Sequence, residues 1–86
     1  MAYTIEFTSA ARRELRRIRG EPLRRIDAAL LILRENPRPP KAEKLKGGLR
    51  DYWRVRVGDF RILYAIEDDR LVVCVVRIAD RKEAYR

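Results

Sequence analysis

Residues 3–7 (Tyr-Thr-Ile-Glu-Phe) alternate along the chain and are rich in β-forming side chains, which predicts a short strand. Thr8 or Ser9 then supplies an N-cap, and the apolar positions Ala11, Leu15 and Ile18 are spaced as one helix face requires. Gly20 ends that helix. Glu21-Pro22 opens a second one, because proline is tolerated in a first turn, where its missing amide hydrogen costs nothing. Leu23, Ile26, Leu30 and Leu33 step by three and four and make one continuous stripe. Asn36 precedes Pro37, whose ring disfavours helical backbone in the residue before it, so the second helix stops there. The two helices are expected to form a short antiparallel hairpin.

The period then changes. Residues 37–48 hold three prolines, two glycines and three lysines, and read as a basic loop. Residues 52–57 alternate strictly, with Trp53, Val55 and Val57 on one face and Arg54 and Arg56 on the other. Gly58-Asp59 is a tight turn into a second strand over residues 60–66, and residues 67–70 turn the chain into a third, 71–78. The last eight residues are polar apart from Ala79, Ala84 and Tyr85, and read as a tail or a short helix. This order predicts an α+β fold. An N-terminal strand, a two-helix antiparallel hairpin and a three-stranded antiparallel meander should form one sheet with the helices on one face. With 86 residues, 47% of them hydrophobic, and neither repeats nor a long linker, the chain is expected to be a single domain over 1–86.

A sheet covered on one face leaves the other open. The apolar side of residues 52–57 must point at the helices, so Arg54 and Arg56 must point away. Arg61 interrupts the hydrophobic run Phe60-Arg61-Ile62-Leu63-Tyr64, and an unpaired charge in a core is costly. With Phe60, Ile62 and Tyr64 inward, Arg61 joins Arg54 and Arg56. Arg81 and Tyr85 follow the last strand and are placed to close the same groove. Arginines with aromatic side chains suit single-stranded RNA. The plainer alternative is a solvated sheet surface on which these arginines pair with Glu67, Asp68, Asp80 or Glu83.

Charge sharpens the first reading. Lys and Arg number 21 against 13 Asp and Glu, a net charge of +8, and only Lys41, Lys44, Lys46 and Lys82 are lysines. The guanidinium fork matches phosphate geometry and stacks on bases, and a basic face is the usual footprint of a nucleic-acid binder. An acidic protein partner would also meet such a surface. The absence of histidine excludes a paired-histidine nuclease, no transition-metal ligand cluster is present, and no cofactor is expected. Cys74 has no intramolecular partner and lies in an apolar run, where it is expected as a small buried hydrophobe in a reducing cytosol. No apolar stretch approaches the ~20 residues of a membrane span and no signal-peptide pattern opens the chain, so a cytoplasmic protein is expected.

Four segments taken together are more specific: Leu45-Lys46-Gly47-Gly48-Leu49, then Tyr52-Trp53-Arg54-Val55-Arg56, then Phe60-Arg61-Ile62-Leu63-Tyr64, and last Ile78-Ala79-Asp80-Arg81-Lys82-Glu83-Ala84-Tyr85. In this order and spacing they resemble the RelE/ParE toxin superfamily, and the resemblance covers essentially the whole chain. It implies the fold just read from periodicity. It also implies a ribosome-dependent endoribonuclease that cuts mRNA without a metal, the 2′-hydroxyl attacking the adjacent phosphate to leave a 2′,3′-cyclic phosphate and a 5′-hydroxyl. Such chemistry needs a base, stabilisation of phosphorane charge and an acid. By resemblance, Arg61 stabilises transition-state charge, Arg81 stands near the leaving group and Tyr85 stacks on or orients the RNA. Arg54 and Arg56 occupy positions where RelE-like enzymes often carry lysine, and Asp80 one where many carry histidine. Arginine is a poor general base, so Tyr85, Asp80 or the ribosome and RNA themselves are left to move the proton. Lys44, Lys46 and Arg50 are expected to add RNA contacts beside Arg54 and Arg56.

The expected partners are a cognate antitoxin that folds onto the toxin, the ribosome and mRNA, with the toxin–antitoxin complex binding its own operator DNA through the antitoxin. Two alternatives stay open: a ParE-like inhibitor of DNA gyrase, and a non-catalytic binding module acting as corepressor.

Overall fold

A computed structural model describes residues 2–46 and 51–80. The chain runs β1 (Thr4–Phe7), α1 (Ser9–Arg16), α2 (Glu21–Glu35), β2 (Glu43–Leu45), β3 (Tyr52–Val57), β4 (Phe60–Glu67) and β5 (Val72–Asp80). One sheet contains all five strands in the order β1-β5-β4-β3-β2. β1 pairs with β5 in parallel, and the other neighbours are antiparallel. The expected hairpin-on-sheet arrangement is present, with the meander extended at both edges. The stretch read as a basic loop contains β2, whose three residues are too few to show alternation and which exists only as a partner for β3. β5 runs two residues past Ile78, to Asp80.

The helices form where the caps say they should. Thr8 Oγ1 accepts a hydrogen bond from the Ala11 amide at 3.1 Å, satisfying one of the free donors of the first turn. Gly20, at φ +69°, turns the chain between α1 and α2 in backbone that a side chain would strain, and Pro22 follows in the first turn of α2. Ala11, Ile26, Leu30 and Leu33 then meet Val55, Ile62, Tyr64, Val73, Val75 and Ile78 in one core. The Tyr64 hydroxyl, buried within it, donates to the Pro37 carbonyl at 2.7 Å. Burial pushes its pKa up to about 12, so it stays a neutral donor at physiological pH. At one end of the sheet Asp68 accepts from Tyr3 and, bidentately, from Arg38, whose guanidinium lies 5.6 Å from the Trp53 ring. This exposed network fastens the start of β1 to the β4–β5 turn.

The register between β4 and β5 is broken once. Leu63 stands opposite Arg77 but Tyr64 opposite Val75, so Val76 is an extra residue in β5. Val73 and Val75 are fully buried, and unbroken alternation would send Arg77 into the core after them. The bulge inverts the phase: Ile78 turns inward and is buried, and Arg77 is exposed on the other face. The start of α1 holds this irregularity in place. β1 ends at Phe7, opposite Val75, leaving the rest of that β5 edge without a strand. There the Thr8 amide donates to the Val75 carbonyl (3.0 Å), the Thr8 hydroxyl donates to the Val76 carbonyl (2.7 Å), and Glu14 accepts from the Ile78 amide (2.8 Å). Edge groups that would otherwise lack partners are satisfied by a helix.

Thr8 therefore serves a helix and a bulge with one side chain. Thr8→Ala should destabilise the fold by about 1–2 kcal/mol, the upper part of the range for a lost cap, as read from urea unfolding midpoints. An effect of a few tenths would mean the bulge holds itself.

Candidate nucleic-acid interface

Alternation along β3 and β4 decides what the open face carries. Arg56 stands directly opposite Arg61, and Arg54 opposite Leu63. Residues opposed in an antiparallel pair share a face with their Cβ atoms ~5 Å apart, and like charges there repel. Val55 with Ile62, and Trp53 with Tyr64, face the helices by the same register. Two guanidinium groups in cross-strand register are unfavourable for the bare fold and become favourable when an anion lies between them. Arg56 is exposed and, among the described residues, has no ion-pair partner. Arg61 is half-buried beside it.

Two further arginines of this face, Arg54 and Arg77, are held by carboxylates. Arg54 donates to Glu43 at 2.6 Å across the β2–β3 pairing, with its Nε–H buried and given no acceptor. Arg77, opposite Leu63, is bound by Glu14 at 2.8 Å at the β5 edge. Burial alone would raise the Glu14 pKa, but hydrogen bonds from Arg77 and the Ile78 amide outweigh it and hold the carboxyl below its ordinary value. Of the acidic partners expected of a plain solvated surface, Glu67 shares the open-face phase of Arg61 but stands at the other end of β4. Glu67 pairs with Arg70 and Asp68 with Arg38, while Glu83 lies outside the described residues. Asp80 stands opposite Phe60 and so faces the helix layer, where it lines a groove of about 240 Å³ with Ile18, Pro22 and Phe60.

Of the residues singled out from sequence, Arg54, Arg56 and Arg61 come together as expected. Arg50, Arg81 and Tyr85 lie outside the described residues. Lys44 is not brought to this group: it shares its face with Trp53, towards the helices, and pairs with Asp51 at 3.4 Å. Lys46 is exposed just beyond β2. Cys74 is not buried in the core. It is half-buried opposite Ala65 on the open face, because Val73 and Val75 take the inward phase. Two residues of the face went unnoticed in the sequence. Tyr52 shares the phase of Arg54 and Arg56 and was legible from alternation alone, whereas Glu43 becomes visible only once β2 is paired.

Over residues 5–85 the chain matches the family model of the ParE toxin of type II toxin–antitoxin systems, parDE. The chain belongs to this toxin family. Toxin RelG of Mycobacterium tuberculosis is 34% identical, over 100% of this chain and 99% of its own. The mRNA interferase toxin RelE of Escherichia coli is 28% identical, over 99% of this chain and 92% of its own. Among solved structures, the archaeal RelE–RelB complex from Pyrococcus horikoshii superposes with a TM-score of 0.81 at 25% identity, covering 94% of this chain and 97% of that one.

In this family member the Glu14 carboxylate joins α1 to the strand that carries Arg77. Because its pKa is lowered by folding, its contribution is present above the unfolded value of ~4.3 and is lost as pH falls through the folded one. Glu14→Gln should cost about 1–2 kcal/mol at neutral pH. That deficit should shrink as the pH falls from neutral through the lowered pKa of Glu14, in urea titrations run across the acid range. A deficit independent of pH would assign the effect to packing.

Proposed function

We propose that this toxin is a ribosome-dependent endoribonuclease that cuts mRNA and is held inactive by a cognate antitoxin. The single observation that carries the reading is the in-register pair Arg56–Arg61 on the face of the sheet opposite the helices. An RNA phosphate is the anion this pair suits, and bidentate guanidinium contacts become strongest as charge builds on the phosphorane. The relatives named RelE and described as mRNA interferases support the reading, as does the RelE–RelB complex for the partner. No metal enters the chemistry: the 2′-hydroxyl attacks the neighbouring phosphorus, the bond to the 5′-oxygen breaks, and a 2′,3′-cyclic phosphate and a 5′-hydroxyl remain. Arg61 and Arg56 hold the phosphate, Arg81 stands near the leaving oxygen and Tyr85 orients or stacks on the RNA. Arg54, fixed by Glu43, adds positive charge beside them. Asp80 faces the helix layer, which leaves Tyr85 or the ribosome and RNA to take the proton.

The antitoxin would reach the basic surface by charge, fold onto it, and carry the complex to its operator DNA. A second reading, inhibition of DNA gyrase, draws support from the parDE name of the matching family model. The two separate in one experiment: a translation reaction programmed with a defined mRNA, cleavage mapped by primer extension, and a supercoiling assay alongside. Cuts at discrete positions only with ribosomes present, reduced by about 10²–10³-fold in Arg61→Ala, are expected. Intact mRNA with supercoiling inhibited would move the assignment to gyrase.

A further inference from the structure

Aromatic side chains in this fold go to the core, with one exception. Among the described residues Tyr64 is buried in the core, Tyr3, Phe7, Trp53 and Phe60 pack against it, and Tyr52 does neither. Tyr52 shares the phase of Arg54 and Arg56, so its ring is half-buried on the face of the sheet opposite the helices. Its hydroxyl makes no hydrogen bond among the described residues, whereas those of Tyr3 and Tyr64 each donate to an oxygen. Opposite it on β4 stands Ala65, which gives the ring less to pack on than a β-branched or aromatic neighbour would. The fold asks little of this side chain.

Its neighbours place it at one end of a graded surface. Leu45, Tyr52, Ala65 and Cys74 oppose one another in turn and form an uncharged row across β2, β3, β4 and β5. In the next row Leu63 lies between Arg54 and Arg77, each held by a carboxylate. Beyond it Arg56 opposes Arg61. The face thus passes from an apolar end bearing an aromatic ring to a basic end within about 14 Å, the span of four residues of strand.

We propose that Tyr52 is a base-stacking residue: its ring takes an unpaired nucleobase of the RNA strand whose phosphate lies between Arg56 and Arg61. This rests on the reading of that face as the RNA-cleaving surface. Proteins that hold single strands combine a basic track for the backbone with aromatic rings for the bases, and both stand here on one face. An apolar row alone would suit a protein segment equally well. The arginines two and four residues along the same strand select a ligand that is both flat and anionic, which an RNA strand is.

The test is a double-mutant cycle between side chain and base. Wild type, Tyr52→Ala, Tyr52→Leu and Tyr52→Phe are each titrated with a short unstructured oligoribonucleotide, 2′-O-methylated so that it cannot be cut. The same proteins are titrated with an abasic strand of equal length. Both series are run over a range of salt, with circular dichroism melts to show that each variant is folded. Tyr52→Ala and Tyr52→Leu should each lose about tenfold in affinity for the oligonucleotide, within the range for one stacked base, and nothing on the abasic strand. Tyr52→Phe keeps the ring and should bind as the wild type does. The slope of log K against log salt should be the same in all four proteins, because stacking releases no counterions, whereas Arg56→Ala/Arg61→Ala should lower it. Tyr52→Leu carries the result if Tyr52→Ala does not fold. Unchanged oligonucleotide affinity in a folded variant without the ring would overturn the proposal and leave Tyr52 to a protein partner. An equal loss on both strands would also overturn it, and assign the effect to the sheet. A wild type that binds neither strand would overturn the reading of the face as an RNA surface, and this inference with it.

Discussion

One extra residue in β5 decides which side chains this toxin presents. Covering one face of the sheet with α1 and α2 makes two-residue alternation binding on every strand, and β5 would break the rule if it ran straight. Its inward positions Val73 and Val75 would be followed by Arg77, a charge in a dry core, with Ile78 turned out. The bulge at Val76 restores agreement between the apolar pattern and the buried face. The contacts that secure it, from Thr8 and Glu14, belong to the beginning of the chain, some sixty residues away in sequence. Helix α1 thus does more than supply Ala11 and Leu15 to the core. It replaces β1 as the neighbour of β5 where β1 ends.

The same geometry divides the arginines of the open face into two kinds. Arg54 and Arg77 are each bound to a carboxylate, Glu43 and Glu14, at the two flanks of the face. Arg56 and Arg61 oppose each other between them. Ion pairs at exposed positions add little stability, so these flanking pairs matter more for orientation than for holding the fold together. Like charges set opposite each other on neighbouring strands are disfavoured in a sheet, and the core of Ile26, Leu33, Ile62, Val73 and Val75 carries the fold. Local conflict with the rules of sheet stability, on an otherwise consistent fold, is what makes this face the candidate site.

The fold was legible because its signals are strong and local. Thr8 before Ala11, Leu15 and Ile18, the stripe Leu23 to Leu33 and the alternation of residues 52–57 each specify an element without reference to the rest. The grouping of Arg54, Arg56 and Arg61 followed from the same alternation. What escaped depends on pairing across the chain. β2 has three residues and no pattern of its own, so the Glu43–Arg54 pair and the helix-side position of Lys44 could not be read. The placement of Cys74 and Asp80 depends on the phase of β5, and a bulge leaves no mark in a run as uniformly apolar as Val72 to Val76. Tyr52 shares the alternation phase of Arg54 and Arg56 and is legible from the same pattern.

An all-arginine site has a chemical consequence. A guanidinium offers hydrogen-bond donors and no acceptor, so on the proposed reading these side chains would bind the phosphate without receiving a proton. Lysine at the same positions could give up a proton; arginine cannot serve as base there. Stabilisation of the phosphorane and transfer of protons must therefore be carried by different groups. On the proposed reading Arg56 and Arg61 would supply the first, while the second would need a residue such as Tyr85 or a group of the ribosome or RNA. On the proposed reading, that division would give ribosome dependence a physical basis: a face that supplies charge without a base could bind RNA alone, and would reach cleavage only where its target brings the missing proton acceptor and fixes the 2′-hydroxyl in line.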